Sequence, residues 1–347
     1  MHPVEEAAAD APAAPRPRRW GTAALKLAVS LGLLWFLYSK QDIRELAKAA
    51  AGADWRWLAL AYALMILNTV VNTAKWRLLL AADAIHLPFP SLWASHLIGA
   101  FFNLFLPSTI GGDAYRIADV GRRTGRTARA AASILVERIT GFFALSAYGF
   151  AASFLARPLV ARWQDWYVLP SLVAMVALIG VAVALCIPGF ARFCCRFVPG
   201  RRLRAKVEGV ALQILDAMGS TVRHPVVLAR ALALSFLFQF NLILAVWAIT
   251  RAIPPSILPV AVPFALFFLF VPVKAFLEMI PVSVFGLGLR DLGYALFMFA
   301  AGVAATLDDS RVAGIISSLE VLLTILYVLP GGILFVLRPK ATVVKPR

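Results

Sequence analysis

Long apolar runs alternate with short polar intervals along the chain, and the runs have the length of membrane spans. Each is about 20 residues long, and they begin near Thr22, Trp57, Ala130, Val168, Val226, Leu258 and Ala313. A shorter apolar run covers Asp291 to Leu307. The pattern predicts an all-α, polytopic integral membrane bundle with about six to eight spans.

Two of the apolar stretches end in a proline that is followed by a glycine-rich segment and an Arg/Asp pair. The first segment is Leu106 to Arg116 (LPSTIGGDAYR), and the second is Ile280 to Asp291 (IPVSVFGLGLRD). Helix breaks at membrane depth expose backbone groups that lipid cannot hydrogen-bond. Such backbone occurs where it is buried in protein or lines a wet cavity, so we expect two broken or re-entrant segments that form one binding site.

The two segments also suggest an internal repeat. Their prolines, Pro107 and Pro281, lie 281 minus 107, or 174, residues apart, close to half of the 347-residue chain. A long apolar run follows each segment, from Ala130 to Phe154 and from Ala313 to Val336. Two related halves would explain this spacing, and so would a chance recurrence of proline and glycine, which are frequent in transmembrane helices.

Composition and charge restrict the class of partner. The chain is 61% hydrophobic and 15% charged, with a mean hydropathy of +0.81, which is more apolar than a soluble domain. The formal net charge is +16, but the basic residues cluster beside apolar runs, at Arg16 to Arg19, Arg116 to Arg129, Arg192 to Arg223 and Arg338 to Arg347. We therefore expect a membrane partner with anionic lipid, and no nucleic acid.

The polar intervals are too short to bury the core of a soluble domain. We divide the chain into a disordered basic tail over residues 1–20, a transmembrane domain over 21–337 and a basic C-terminal tail over 338–347. By the positive-inside rule, the four basic clusters and both termini lie in the cytoplasm.

Ionisable residues inside the apolar segments are the candidates for a site, because charge at membrane depth is costly. Asp113 and Arg116 are three residues apart and share a helix face, beside free amides and the positive dipole end expected at Gly111 and Gly112. This arrangement predicts an anion site, since a guanidinium binds two phosphate oxygens at once. An ordinary helix start at the interface is the alternative.

Other charges lie in the later runs. Glu137 and Arg138 are adjacent, so we expect them to reach different partners, one of them in the Asp113/Arg116 element. Lys274 and Glu278 share a helix face and form either part of the site or a salt bridge between helices, while Glu320 needs a cationic partner. The complete set of predicted substrate-binding residues is Ser108, Gly111, Gly112, Asp113, Arg116, Glu137, Arg138, Lys274, Glu278, Ser283, Gly286, Gly288 and Arg290.

Catalytic chemistry has little support in the sequence. The four histidines, His2, His86, His96 and His224, are dispersed, and neither a GxSxG elbow nor a P-loop occurs. We therefore predict no catalytic residues, no metal and no cofactor, and we favour a transporter over an enzyme. The sequence does not indicate the oligomeric state.

At these residues the chain resembles the flippase-like transmembrane family, which includes the membrane part of lysylphosphatidylglycerol synthases. The resemblance rests on Phe102 to Arg116, on Glu137-Arg138 with Gly141, and on Pro281 to Arg290. It implies an inner-membrane protein that moves an anionic or modified lipid between leaflets. In the synthases a separate soluble domain makes the aminoacylated lipid, and because the chain stops at Arg347 we do not expect that activity here.

The expected site is a polar groove in which cations bind a phosphate-bearing or lipid-linked headgroup, while paired acids hold those cations in its absence. The cations are Arg116, Arg138, Lys274 and Arg290, and the acids are Asp113, Glu137, Glu278 and Glu320. The alternative is a membrane-embedded transferase acting on a lipid-linked sugar or phosphate, with Asp113, Glu137 or Glu278 as base. The short loops count against it.

The topology can be tested at the C-terminus. A reporter that is active only outside the inner membrane, fused after Arg347, should give no signal, because the basic cluster beside it is retained in the cytoplasm. A strong signal would overturn this topology.

Overall fold

The computed structural model describes residues 51–104, 110–155, 201–222, 224–258, 260–278, 289–302 and 311–338, with residues 180 and 196. Every regular element in these ranges is an α-helix, which confirms the predicted all-α bundle. In chain order the helices are α1 (Trp55–Ala82), α2 (Phe89–Asn103), α3 (Ile110–Thr124), α4 (Thr127–Leu155), α5 (Arg201–Val222), α6 (Pro225–Arg251), α7 (Phe264–Glu278), α8 (Leu289–Ala300) and α9 (Arg311–Leu337). The spans predicted near Thr22 and Val168, and the N-terminal tail, lie outside the described residues.

Four of the described helices, α1, α4, α6 and α9, are long and apolar enough to cross a membrane. Their candidate spans are 26 to 28 residues long. At about 1.5 Å per residue, such helices measure about 40 Å, which exceeds the roughly 30 Å of the hydrocarbon layer.

Helices α2 and α3 form a short hairpin. Each has 15 residues and is about 22 Å long, too short to cross the hydrocarbon layer. Arg123 near the end of α3 donates a hydrogen bond to Ser91 near the start of α2, and the Gly112 amide at the start of α3 donates to Asn103 at the end of α2. The hairpin therefore leaves on the side from which it enters, as a re-entrant segment does.

Helices α7 and α8, of 15 and 12 residues, form a second hairpin. Glu278 at the end of α7 accepts a hydrogen bond from Arg290 at the start of α8, at 2.9 Å. Phe267 near the start of α7 lies against Phe297 near the end of α8, with ring centroids 5.1 Å apart. Both predicted broken segments thus fall between the arms of a helical hairpin.

Turn residues set the helix boundaries. Pro88 precedes α2 in an extended conformation, and Pro254, Pro255 and Pro263 lie between α6 and α7, where they cannot donate to a continuing helix. Gly125, between α3 and α4, has φ +71°. This left-handed conformation favours glycine, so a two-residue connection can join these helices.

The described helices repeat the order long, short, short, long: α1 to α4, then α6 to α9. The two copies run in opposite directions. The amide of Asp54, before α1, donates to the carbonyl of Ala252, after α6, and in mid-helix Asn241 of α6 donates to Asn68 of α1, at 2.8 Å in each case. Helix α1 is therefore antiparallel to its counterpart α6.

Helices α4 and α9 are antiparallel in the same way. Arg338, after α9, lies 3.3 Å from the carboxylate of Asp119 near the end of α3, beside the point where α4 begins. We call this the basic end of the bundle, because Arg122, Arg123, Arg126, Arg129 and Arg338 lie there. The first hairpin enters from the basic end and the second from the opposite end, which is the arrangement of an inverted repeat.

The hairpins pack closely on the long helices of the other half: α2 lies on α9, and α7 lies on α4. At the first contact, a β-carbon at Gly331 of α9 would overlap the carbonyl oxygen of Leu97 in α2. The apolar core continues through α6 to α9, where Ile243, Phe267 and Tyr294 are fully buried. Packing between the halves thus fixes the hairpins in place.

The close contact predicts that Gly331→Ala is destabilising, by about 1–3 kcal/mol, because overpacking forces α2 and α9 apart. Gly314→Ala, on the same helix with open space around it, is the matched control and should be neutral or stabilising, since alanine is the better helix former. Thermal unfolding in detergent measures both. Equal unfolding midpoints for the two variants would contradict the packing.

Candidate functional site

A first network of charges joins α3 to α4. Arg116 donates to both carboxylate oxygens of Glu137, at 3.0 and 2.7 Å, and lies 3.4 Å from Asp113. Arg138 binds the other oxygen of Asp113 through Nε at 2.9 Å and through a terminal nitrogen at 2.7 Å. We call these four residues the first network. The fork-to-fork geometry of Arg116 and Glu137 is the strongest form of an ion pair.

Side chains of helix α1 contact the first network. The Trp76 ring lies under the guanidinium of Arg116, 4.1 Å from its centre, and Asn72 donates to Glu137 at 3.0 Å. Arg116 is 2% exposed and Glu137 is 4% exposed. Charges buried this deeply are tolerated because they are paired and hydrogen-bonded.

A second network joins α7, α8 and α9. Lys274 lies 2.7 Å from Glu320 and 3.2 Å from Glu278, and Arg290 donates to Glu278 at 2.9 Å. The Tyr294 hydroxyl donates to the other oxygen of Glu320 at 2.6 Å. We call Lys274, Glu278, Arg290 and Glu320 the second network. It joins helices of the second copy, α6 to α9, as the first network joins helices of the first copy, α1 to α4.

Both networks face one cavity of about 410 Å³, here called the central cavity. Glu137 lies ten residues into α4, about 15 Å from the basic end, and Glu320 lies 17 residues before the end of α9, about 26 Å from it. The cavity is therefore near the middle of the long helices. Its polar lining includes Asn68, Thr69, Asn72, Lys75, His96, Asn103, Asp113, Arg116, Glu137, Arg138, Gln239, Glu278, Arg290, Glu320, Thr324 and Tyr327.

The structure brings most of the predicted charges together. Asp113, Arg116, Glu137, Arg138, Glu278 and Arg290 line the central cavity, and Lys274 bonds to two of its carboxylates. Glu320 has the expected cationic partner. That these residues bind a substrate stays a prediction. Ser108, Ser283, Gly286 and Gly288 lie outside the described residues.

Two details differ from the sequence expectation. The Gly112 amide is not free for an anion, because it donates to the Asn103 side chain at 2.7 Å. Gly111 lies in the first turn of α3 and is not among the cavity-lining residues. Arg116 pairs mainly with Glu137 and only at 3.4 Å with Asp113, since Asp113 is turned toward Arg138. An anion in the central cavity would therefore meet the side chains of the networks rather than the Gly112 amide.

Sequence reasoning missed Lys75, Tyr294 and a charged cluster at the basic end. Lys75 lies within the apolar run of α1, and a charge there indicates a candidate site residue. Because Arg77 follows two residues later, the pair resembles the basic residues that commonly end a membrane span. Tyr294 had no signal beyond its place in an apolar helix. Asp119 binds Arg123, four residues away on the same helix, at 3.1 Å. It also binds Arg338 at 3.3 Å across more than 200 residues of chain, and no local pattern reveals this second contact.

The model of the family described as lysylphosphatidylglycerol synthase TM region matches residues 23–307 of this chain. The match covers both networks except Glu320. No curated protein matches the chain. The chain belongs to this membrane family, which confirms the resemblance seen at the broken segments and associates the protein with membrane lipid.

The pairing in the first network predicts that Arg116→Ala is destabilising, by about 3–5 kcal/mol, because Glu137 would be left charged and buried without its partner. Adding Glu137→Gln should recover part of the loss. Arg122→Ala, an exposed arginine on the same helix, is the control and should change stability little. Thermal unfolding of the single and double variants measures these differences in stability. If the double variant is no more stable than Arg116→Ala, the pairing argument is refuted.

Proposed function

We propose that the protein is an inner-membrane lipid translocase, in which the headgroup crosses through the central cavity while the acyl chains remain in the bilayer. The observation that carries the proposal is a cavity lined by charged groups near the middle of the spanning helices. A phosphate-bearing headgroup loses its hydration when it enters hydrocarbon, and this loss is the main barrier to crossing. Polar partners at mid-depth lower that barrier.

Unused hydrogen-bonding atoms support binding at this place. Arg116 Nε, His96 Nδ1 and Gln239 Oε1 belong to cavity-lining residues, and each is buried without a hydrogen-bond partner in the part of the chain that the structure describes. Buried polar atoms without partners are rare in folded proteins and are costly. A ligand that donates to Gln239 Oε1 and accepts from Arg116 Nε would satisfy two of the three atoms.

The inverted repeat provides a route for access from both sides. Because one hairpin enters from each end of the bundle, exchanging the conformations of the two halves would move the opening of the cavity from one end to the other. Asp119 of α3, which pairs with Arg338 just after α9, would be part of the closure at the basic end. The architecture supports alternating access around a fixed site.

The transferase alternative finds less support. It needs a carboxylate available as base, whereas Asp113, Glu137, Glu278 and Glu320 each bind a cation at 3.2 Å or closer. A carboxylate held by a guanidinium or an ammonium is a weak base. No observation in the described residues favours a second function.

Reconstitution into liposomes tests the proposal. The protein should speed the movement of fluorescent phospholipids between leaflets, measured by reduction of the fluorophore in the outer leaflet. Arg138→Gln should slow movement by about tenfold, because Arg138 is the most exposed cation of the first network and the first available to a headgroup. Arg230→Gln, an exposed arginine on α6, should leave the rate unchanged. Translocation would be refuted if lipid moved no faster in liposomes that contain the wild-type protein than in protein-free liposomes.

A further inference from the structure

A cluster of charged and polar side chains at the basic end joins the first hairpin to the end of α9. The Asp119 carboxylate lies 3.1 Å from Arg123 on its own helix and 3.3 Å from Arg338, which follows α9. It also accepts a hydrogen bond from the Ser95 hydroxyl at 2.8 Å. Both arginines donate to the Ser91 hydroxyl near the start of α2. We call Ser91, Asp119, Arg123 and Arg338 the basic-end cluster. Asp119 is 4% exposed, so the cluster is a buried tie between the two halves.

The basic-end cluster lies between the central cavity and the basic end. Asp119 is three residues beyond Arg116 along α3, about 4.5 Å closer to that end. Arg116 lines the cavity, whereas Asp119 does not. Leu92 and Val120, each next to a cluster residue in the chain, pack with Leu80 in a buried apolar layer. Among the described residues, this layer and the cluster therefore close the cavity at the basic end.

The corresponding positions at the opposite end of the bundle are uncharged. Gly293 and Phe297 lie three and seven residues after Arg290, as Asp119 and Arg123 do after Arg116, and Leu155 lies 18 residues after Glu137, as Arg338 does after Glu320. Phe297 stacks on Phe270 of α7, with ring centroids 4.1 Å apart. The inverted repeat thus has ion pairs at one end and apolar contacts at the equivalent positions of the other.

The end of α9 contains a natural bending point. Pro330 lies inside the helix and is followed by Gly331 and Gly332, and both prolines and glycine pairs are common sites of helix kinks. Gly331 is held tightly against α2, as described above. Beyond it, Phe335 packs on Phe102 of α2, with ring centroids 4.9 Å apart, and Arg338 pairs with Asp119. The end segment, residues 333–338, is therefore fastened to the first hairpin beyond a hinge.

We propose that the basic-end cluster is a one-sided ionic latch. The pair of Asp119 and Arg338 holds the end segment of α9 on the first hairpin, keeps the central cavity closed at the basic end, and separates when the segment bends away at Pro330 to Gly332. This inference rests on the proposed function, since a latch acts only on a cavity that opens. Because the equivalent positions at the opposite end are uncharged, loss of the latch acts at the basic end alone.

Accessibility of a thiol in the cavity tests the latch without requiring transport. Thr324→Cys, on the cavity lining, would be made in a protein without its native cysteines, and a membrane-impermeant thiol reagent would be applied to vesicles that present either end outward. Arg338→Gln should speed modification from the basic end about tenfold, as for one charge-assisted hydrogen bond lost from the closed state. Modification from the opposite end should not become faster. Asp119 keeps Arg123 and Ser95 as partners, so we expect the variant to fold.

Two further variants separate the latch from a general loss of structure. Arg338→Lys keeps a cation beside Asp119 and should keep the slow modification of the parent protein. Arg122→Gln removes an exposed arginine at the same end but outside the cluster, and it should also behave as the parent does. Unchanged modification from the basic end in folded Arg338→Gln would overturn the latch. Faster modification from both ends would overturn it as well, because a loosened bundle opens everywhere.

A covalent tie gives a second, independent measurement. Ser91→Cys and Arg338→Cys, joined by a short cleavable cross-linker, would replace the ion pairs by a permanent bond. Cross-linked protein in liposomes should stop moving lipid, and cleavage of the linker should restore the movement. Undiminished movement in fully cross-linked protein would overturn the latch. If the protein moves no lipid before cross-linking, translocation is refuted, and the accessibility of Thr324→Cys still decides for or against the latch.

Discussion

Charges near the middle of a membrane must be paired, and in this protein the pairs also hold the helices in position. Arg116 and Glu137 join the first hairpin to α4, while Asn72 and Trp76 add α1 to the same group. Lys274 and Glu320 join the second hairpin to α9. Each pair fastens a helix that is too short to span the bilayer to one that spans it. Without the pairs, the hairpins would bring unsatisfied charge to membrane depth.

The same pairing explains how two neutral networks form a polar site. The inverted repeat places an ion-pair network from each half on one cavity, so that polar groups are available at mid-depth without a net charge from either network. The two halves are not fully symmetric. Lys75 on α1 lies where the corresponding part of α6 is apolar, and it donates to the Glu137 carbonyl and to the Ser235 hydroxyl.

Sequence reasoning found the elements of the site but not their partners. The apolar runs located α1, α4, α6 and α9, and the proline and glycine positions located both hairpins, because these signals are local. Whether Arg116 binds Asp113 or Glu137 depends on how α3 packs against α4, which spacing along one helix does not determine. Lys75 was missed for the same reason, since its hydrogen-bond partners lie on α4 and α6.

Access to the central cavity from each side of the membrane tests the central claim most directly. Gly141→Cys places a thiol on the cavity wall with ordinary contact distances to its neighbours, in a protein whose native Cys186, Cys194 and Cys195 have been replaced. A membrane-impermeant thiol reagent would be applied to vesicles of each orientation. Alternating access predicts modification from both sides, slowed by an anionic phospholipid. Modification from one side only would contradict alternating access and reduce the cavity to a pocket open to a single face.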